Sequence, residues 1–203
     1  MDMLHNTPLC RGIAWVSDNV YWVFNAYDHA LDEYNFNKDH GPGGDDHSDG
    51  EIYRYAMGEV LGVEDGTPSH VFFDPADNFL YVADTGNARI VRLDTTKGTK
   101  GAPLARQFER LKDQGVMDGT TVEVVVPAGV LQKPSGLEIY GGLLWVTDTA
   151  TSTFHVFDKS GKEVRQLKVD LPAESLAGMA FGPGGKLYFA DKVGSRIMRV
   201  DPR

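Results

Sequence analysis

Between Lys38 and Glu51 the chain reads KDHGPGGDDHSDGE, which sets Asp39, His40, Asp45, Asp46, His47, Asp49 and Glu51 among glycines that let a backbone fold back on itself. Clustered carboxylates suit a hard cation such as Ca²⁺, and carboxylates mixed with imidazoles suit Zn²⁺ or another transition metal. The spacing is not that of a calcium loop, because the residue that should be a glutamate at the twelfth position from Asp45 is Ala56. Two readings stay open for the segment: a solvated acidic loop, or a site in which His40, His47, Asp45, Asp46 and Asp49 contact a metal or a substrate.

A further imidazole, His70 in TPSHVFF, stands alone at the start of an apolar run. The other histidines, His5, His29 and His155, are scattered and read as surface or packing residues. No GxSxG motif, P-loop or dinucleotide fingerprint is present, and GPGG at 41–44 lacks the Lys-Ser/Thr pair that grips phosphate, so no nucleotide cofactor is expected. Cys10, the single cysteine, has no base in its motif and can form no internal disulfide.

What positions these groups is a repeat. Without gaps, YWVFNAYDHALDEYN (21–35), LYVADTGNARIVRLD (80–94), LWVTDTATSTFHVFD (144–158) and LYFADKVGSRIMRVD (187–201) align. Their columns hold Trp22, Tyr81, Trp145 and Tyr188; then Asn25, Asp84, Asp148 and Asp191; and finally Asn35, Asp94, Asp158 and Asp201. Each unit follows an upstream strand (RGIAWVS, SHVFFDP, SGLEIYG, AGMAFGP), and the first three precede a candidate fourth strand (EIYRYAM, TVEVVV, EVRQLKV). Three or four antiparallel strands per repeat describe one blade of a β-propeller. The aspartates before the polar turns are read as joints, since a carboxylate there can accept backbone N–H groups.

The stretches FFDPADNFLYVADTGNARIVRLD and MAFGPGGKLYFADKVGSRIMRVD resemble the NHL-repeat family of β-propellers. The fold expected is therefore all-β, an NHL-type propeller with four recognisable blades of three to four antiparallel strands, forming part of a six-bladed one or an unusually small one. The chain reads as a single domain over 1–203, with blades at 10–57, 68–127, 133–170 and 174–203 and inserts at 37–50 and 97–119. Leu104, Phe108 and Leu111 fall at helical spacing and predict a short helix over 104–112 within the second insert.

In the blade alignment His70 occupies the column that is Gly12, Gly136 and Gly178 elsewhere, at the start of a strand that lines a propeller's channel. The related amidating lyases hold catalytic zinc with channel histidines at that place in three blades. Here only His70 matches, so the resemblance implies that activity only if His40, His47 or further blades supply ligands. Similarity to the gluconolactonase-like hydrolases is weaker, because Ser135 and Ala177 stand where an aspartate is expected.

With 203 residues, 41% of them hydrophobic, the chain can bury a full core, and its formal net charge of −9 disfavours nucleic acid and anionic membranes. No signal peptide or membrane span is read, which points to the cytoplasm for the chain as it stands, or to an extracellular or periplasmic setting if it is a fragment. The leading functional expectation is a binding scaffold for a protein or small ligand, with a divalent metal, Ca²⁺ or Zn²⁺, as its ion and with self-association through open blade edges. The alternative is a metal-dependent lyase or hydrolase that uses channel and loop histidines.

Overall fold

The computed structural model describes residues 5–39, 41 and 46–201. In the first sheet β1 (Cys10–Ser17), β2 (Val20–Asn25), β3 (Ala30–Phe36) and β4 (Gly50–Tyr55) run antiparallel in chain order, with short turns from β1 to β2 and from β2 to β3. Next come β5 (Val71–Asp74), β6 (Phe79–Asp84) and β7 (Arg89–Asp94), then β8 (Thr99–Lys100) and β9 (Asp113–Asp118) from the second insert. The second sheet is completed by β10 (Val122–Val126), in the order β10-β7-β6-β5. A third sheet holds β11 (Pro134–Tyr140), β12 (Leu143–Asp148), β13 (Thr153–Phe157) and β14 (Glu163–Lys168). A fourth holds β15 (Leu176–Phe181), β16 (Leu187–Asp191) and β17 (Arg196–Val200). The protein is all-β, with four blade-like sheets.

The burial of the strands follows their composition. In β13, TFHVF, every residue is buried, as expected of a strand covered on both faces, whereas the polar β14, EVRQLK, is almost wholly exposed. Charged side chains along such an outer strand also discourage pairing with another chain.

The expected joints are present. Asp84 accepts the Gly62 N–H at 2.6 Å and the Asn87 amide, and pairs with Arg89 at 2.6 Å. Asp148 accepts the N–H groups of Gln132 and Lys133 at 2.9 and 3.0 Å, and Asp191 those of Gly194 and the Arg196 side chain, both at 2.9 Å. Asn25 uses its Oδ1 in the same way, toward the N–H groups of Tyr27 and Asp28. Four residues further on, His29, Ala88, Ser152 and Ser195 all adopt left-handed backbone, with φ of 52°, 51°, 52° and 51°. The four turns thus share a left-handed residue at the same position of the repeat.

The helix expected over 104–112 does not form. The segment is irregular and leads into β9, which adds to the first sheet by parallel pairing with β4, from Glu51↔Asp113 to Arg54↔Val116. The three apolar residues at helical spacing do not share one buried face: Leu104 and Leu111 pack against Val23, Tyr34 and Ile52, while Phe108 is 57% exposed. An irregular segment lying on the sheet satisfies two of them without a helix.

By contact the chain divides into two compact units, one of Met1–Leu61, Phe73–Leu80 and Leu93–Val122, the other of Gly62–Phe72, Tyr81–Arg92 and Glu123–Arg203. The first has its core at Val23, Tyr34, Ile52 and Leu104; the second has one at Phe154, Leu176, Met179, Leu187 and Phe189. Among the described residues no helix is long and apolar enough to cross a membrane.

Candidate functional site

His70 belongs to the second unit. Its N–H donates to the Ser135 carbonyl at 3.1 Å and its carbonyl accepts the Ala83 N–H at 2.9 Å, so the backbone on either side of the imidazole is fixed by neighbouring strands. The same inner edge is tied by the Thr85 hydroxyl, which donates to the Pro134 carbonyl at 2.7 Å, and by the Thr147 hydroxyl, which donates to the Ala177 carbonyl at 2.7 Å.

The ring lies over Gly178, the glycine of the same column in the fourth repeat, and with Met179, Ala180, Tyr188, Phe189 and Ile197 it lines an open pocket of about 290 Å³. The other walls are apolar. Burial pushes the His70 pKa below the ordinary imidazole value, so the neutral ring offers one donor and one acceptor there at neutral pH. A neutral imidazole in an apolar pocket can hydrogen-bond a ligand or take a proton from it.

His47 belongs to the first unit. Its side chain is 1% exposed, its ring packs on Phe36 with centroids 5.1 Å apart, and its Nδ1 meets Glu109 Oε2. The same oxygen is 3.2 Å from His5 Nδ1. Asp46 and Asp49 do not join this group: Asp46 Oδ1 accepts the Ser48 N–H at 3.0 Å, and the Asp49 carbonyl accepts the Asn37 amide at 2.8 Å. His40 and Asp45 lie outside the described residues. Of the candidate ligands among the described residues, His47 alone stands in a group of three residues able to ligate, and its companions are His5 and Glu109.

Neither companion carries a local signal in the sequence: His5 reads as a surface or packing residue, and Glu109 falls in a segment expected to be helical. His29 and His155 do act in packing: His29 Nδ1 meets the Leu61 carbonyl at 2.6 Å, and His155 Nδ1 meets Glu163 at 2.6 Å. A second pocket, of about 470 Å³, is walled by Trp145, Phe181, Leu187 and Val200 with Arg165 beside them. The Trp145 indole nitrogen is buried there without a hydrogen-bond partner among the described residues. Trp145 belongs to the aromatic column of the repeat.

No family model matches this chain, and no curated protein matches it. Among solved structures it is similar to a catalytically inactive virginiamycin B lyase from Staphylococcus aureus determined with quinupristin, at a TM-score of 0.60 and 14% identity, over 96% of this chain and 53% of that one. It is similar to a streptogramin B lyase at a TM-score of 0.58 and 12% identity, over 95% of this chain and 54% of that one. A third is an auxiliary nutrient binding protein from Bacteroides thetaiotaomicron, at a TM-score of 0.58 and 11% identity, over 95% of this chain and 47% of that one. The chain spans about half the length of these proteins, and at such identities the likeness is one of fold, propeller-like and all-β.

Proposed function

We propose that this chain is an NHL-like propeller domain whose role is binding, and that its ligand is a small molecule with an apolar body and one hydrogen-bonding group. The observation that carries the reading is the His70 imidazole, fixed by backbone hydrogen bonds on both sides of its strand and set in an otherwise apolar pocket over Gly178. Few polar groups in a mostly apolar concavity are the general make-up of a small-molecule site. The proteins of similar fold add support of a coarser kind, since one was determined with quinupristin and another is described as nutrient binding.

The test is ligand-observed NMR with a library of small aromatic and branched aliphatic fragments, read alongside the His70 imidazole signals. Binders should shift those signals and should be lost in Ala180→Trp, which fills the pocket from an exposed strand position. If no fragment perturbs His70, or if Ala180→Trp leaves binding intact, the reading fails.

A second reading, a metal-dependent lyase or hydrolase, is favoured by one observation: His47 stands beside two further groups able to ligate, and three protein ligands are the usual number in catalytic zinc sites. Turnover abolished by chelation and restored by zinc would put this reading first.

A further inference from the structure

We infer that His5, His47 and Glu109 form a divalent transition-metal site with an open coordination position, independent of the His70 pocket. The Nδ1 atoms of both imidazoles converge on one carboxylate oxygen, Glu109 Oε2, and the ligating atoms of the three residues all lie within 4.8 Å of one another. In a tetrahedral zinc site with bonds near 2.0–2.1 Å, neighbouring ligand atoms stand about 3.3 Å apart. His5 Nδ1 is 3.2 Å from Glu109 Oε2, which is that edge length. His47 Nδ1 approaches more closely and needs only a small retreat for an ion to enter.

The surroundings hold the carboxylate in place. Asn6 grips the Glu109 segment from two sides: its amide nitrogen donates to Glu109 Oε1 at 3.1 Å, leaving Oε2 for the imidazoles, and its Oδ1 accepts the Phe108 N–H at 3.1 Å. Asn6 is itself fixed, because its carbonyl accepts from Arg54 at 2.9 Å. Such outer contacts orient ligating groups in metal sites. The His47 carbonyl accepts the Gly50 N–H at 2.8 Å, which anchors that ligand to the start of β4.

Exposure within the group is graded. The His47 side chain is 1% exposed, Glu109 12% and His5 38%, so the site is closed on the His47 side and open on the His5 side. Two imidazoles and one carboxylate select Zn²⁺ or a similar ion over Ca²⁺, which prefers six to eight oxygens. Water or a ligand donor would fill the remaining position from solvent.

The experiment is calorimetric titration of the dialysed chain with Zn²⁺ and, separately, with Ca²⁺, together with the visible absorption of the Co²⁺ form. One equivalent of Zn²⁺ should bind, Ca²⁺ should give no comparable heat, and Co²⁺ should show an intense tetrahedral spectrum. His5→Ala removes the exposed ligand, and Glu109→Gln keeps an oxygen for Asn6 while discarding the charge. Each should weaken Zn²⁺ binding by about a hundredfold or more, and Asn6→Ala by about tenfold, the scale on which outer contacts act. His70→Ala should bind Zn²⁺ like the wild type. Absence of Zn²⁺ binding, or binding equally tight in His5→Ala and Glu109→Gln with folding confirmed by circular dichroism, would overturn the assignment. Neither result bears on fragment binding at His70.

Discussion

The imidazole of His70 lies so close over Gly178 that a β-carbon at that glycine would stand 2.7 Å from Cε1 and 2.9 Å from Nε2. The glycine is therefore the seat of the histidine, and the two positions should be energetically coupled. Gly178→Ala should cost about 1–2 kcal/mol by overpacking, in a range tempered because the displaced atoms are the end of a side chain. In His70→Ala the same change should cost less, giving a coupling of about 0.5 kcal/mol or more. Urea unfolding of the wild type, both single variants and the double variant measures this, and strictly additive costs would show that the ring does not rest on the glycine.

Acid should weaken the fold through the same histidine. Burial holds the folded pKa of His70 below the 6.5 of a free imidazole, so the unfolded chain binds its proton at a higher pH than the folded one. The His70 contribution is complete above the unfolded value and falls away as pH drops through the folded one. The stability difference between wild type and His70→Gln should accordingly shift against the wild type between about pH 7.5 and pH 5.5. A constant difference over that interval would mean that the ring titrates as it does in water.

The sheets could be read in the sequence because each blade repeats a local code. Asn25, Asp148 and Asp191 each accept a backbone N–H of their own turn and Asp84 accepts the Asn87 amide of its turn, and such short-range geometry recurs wherever the same residues recur. The placement of His70 over Gly178 follows from the same alignment. Glu109 and His5 are another matter. They are 104 positions apart and are brought together by Asn6 and by the docking of an irregular segment, neither of which leaves a periodic trace. Strand β9 was hidden for a related reason: its partner β4 is a distant sheet edge, and the insert's own apolar spacing mimics a helix.

Arg54 should be a stability determinant of the first unit. Its guanidinium donates to Asp32 at 2.7 and 3.0 Å, to Asp28 at 2.6 Å and to the Asn6 carbonyl, and the Asp32 side chain is fully buried. Thr7 and Asn25 add hydrogen bonds to Asp32 at 2.6 and 2.9 Å, so both of its oxygens are engaged. Arg54→Met leaves the buried carboxylate without its cationic partner and should cost about 3–5 kcal/mol. Arg54→Met combined with Asp32→Asn should recover part of the loss in denaturant unfolding. No recovery would place the cost in packing around the arginine stem.

The left-handed turn column separates backbone strain from side-chain bonding. Ala88 has φ 51° and ψ 42°, a conformation that costs a residue with a β-carbon about 1 kcal/mol, and the hydrogen bond that closes its turn, to the Thr85 carbonyl at 3.1 Å, comes from its backbone N–H. Ala88→Gly keeps that bond and removes the strain, so it should stabilise by up to about 0.5 kcal/mol after the glycine's extra unfolded-state freedom is counted. Ser152 has the same backbone at φ 52°, but its buried hydroxyl donates to the Pro172 carbonyl at 2.6 Å and accepts the Ser175 N–H at 3.3 Å. Ser152→Gly gains the same relief and leaves the buried Ser175 N–H and the Pro172 carbonyl without their partner, a loss of about 1–3 kcal/mol, so the net effect should be destabilising. Thermal unfolding of the two variants should thus move in opposite directions, and a shift of the same sign in both would mean that the shared turn conformation is not what distinguishes these positions.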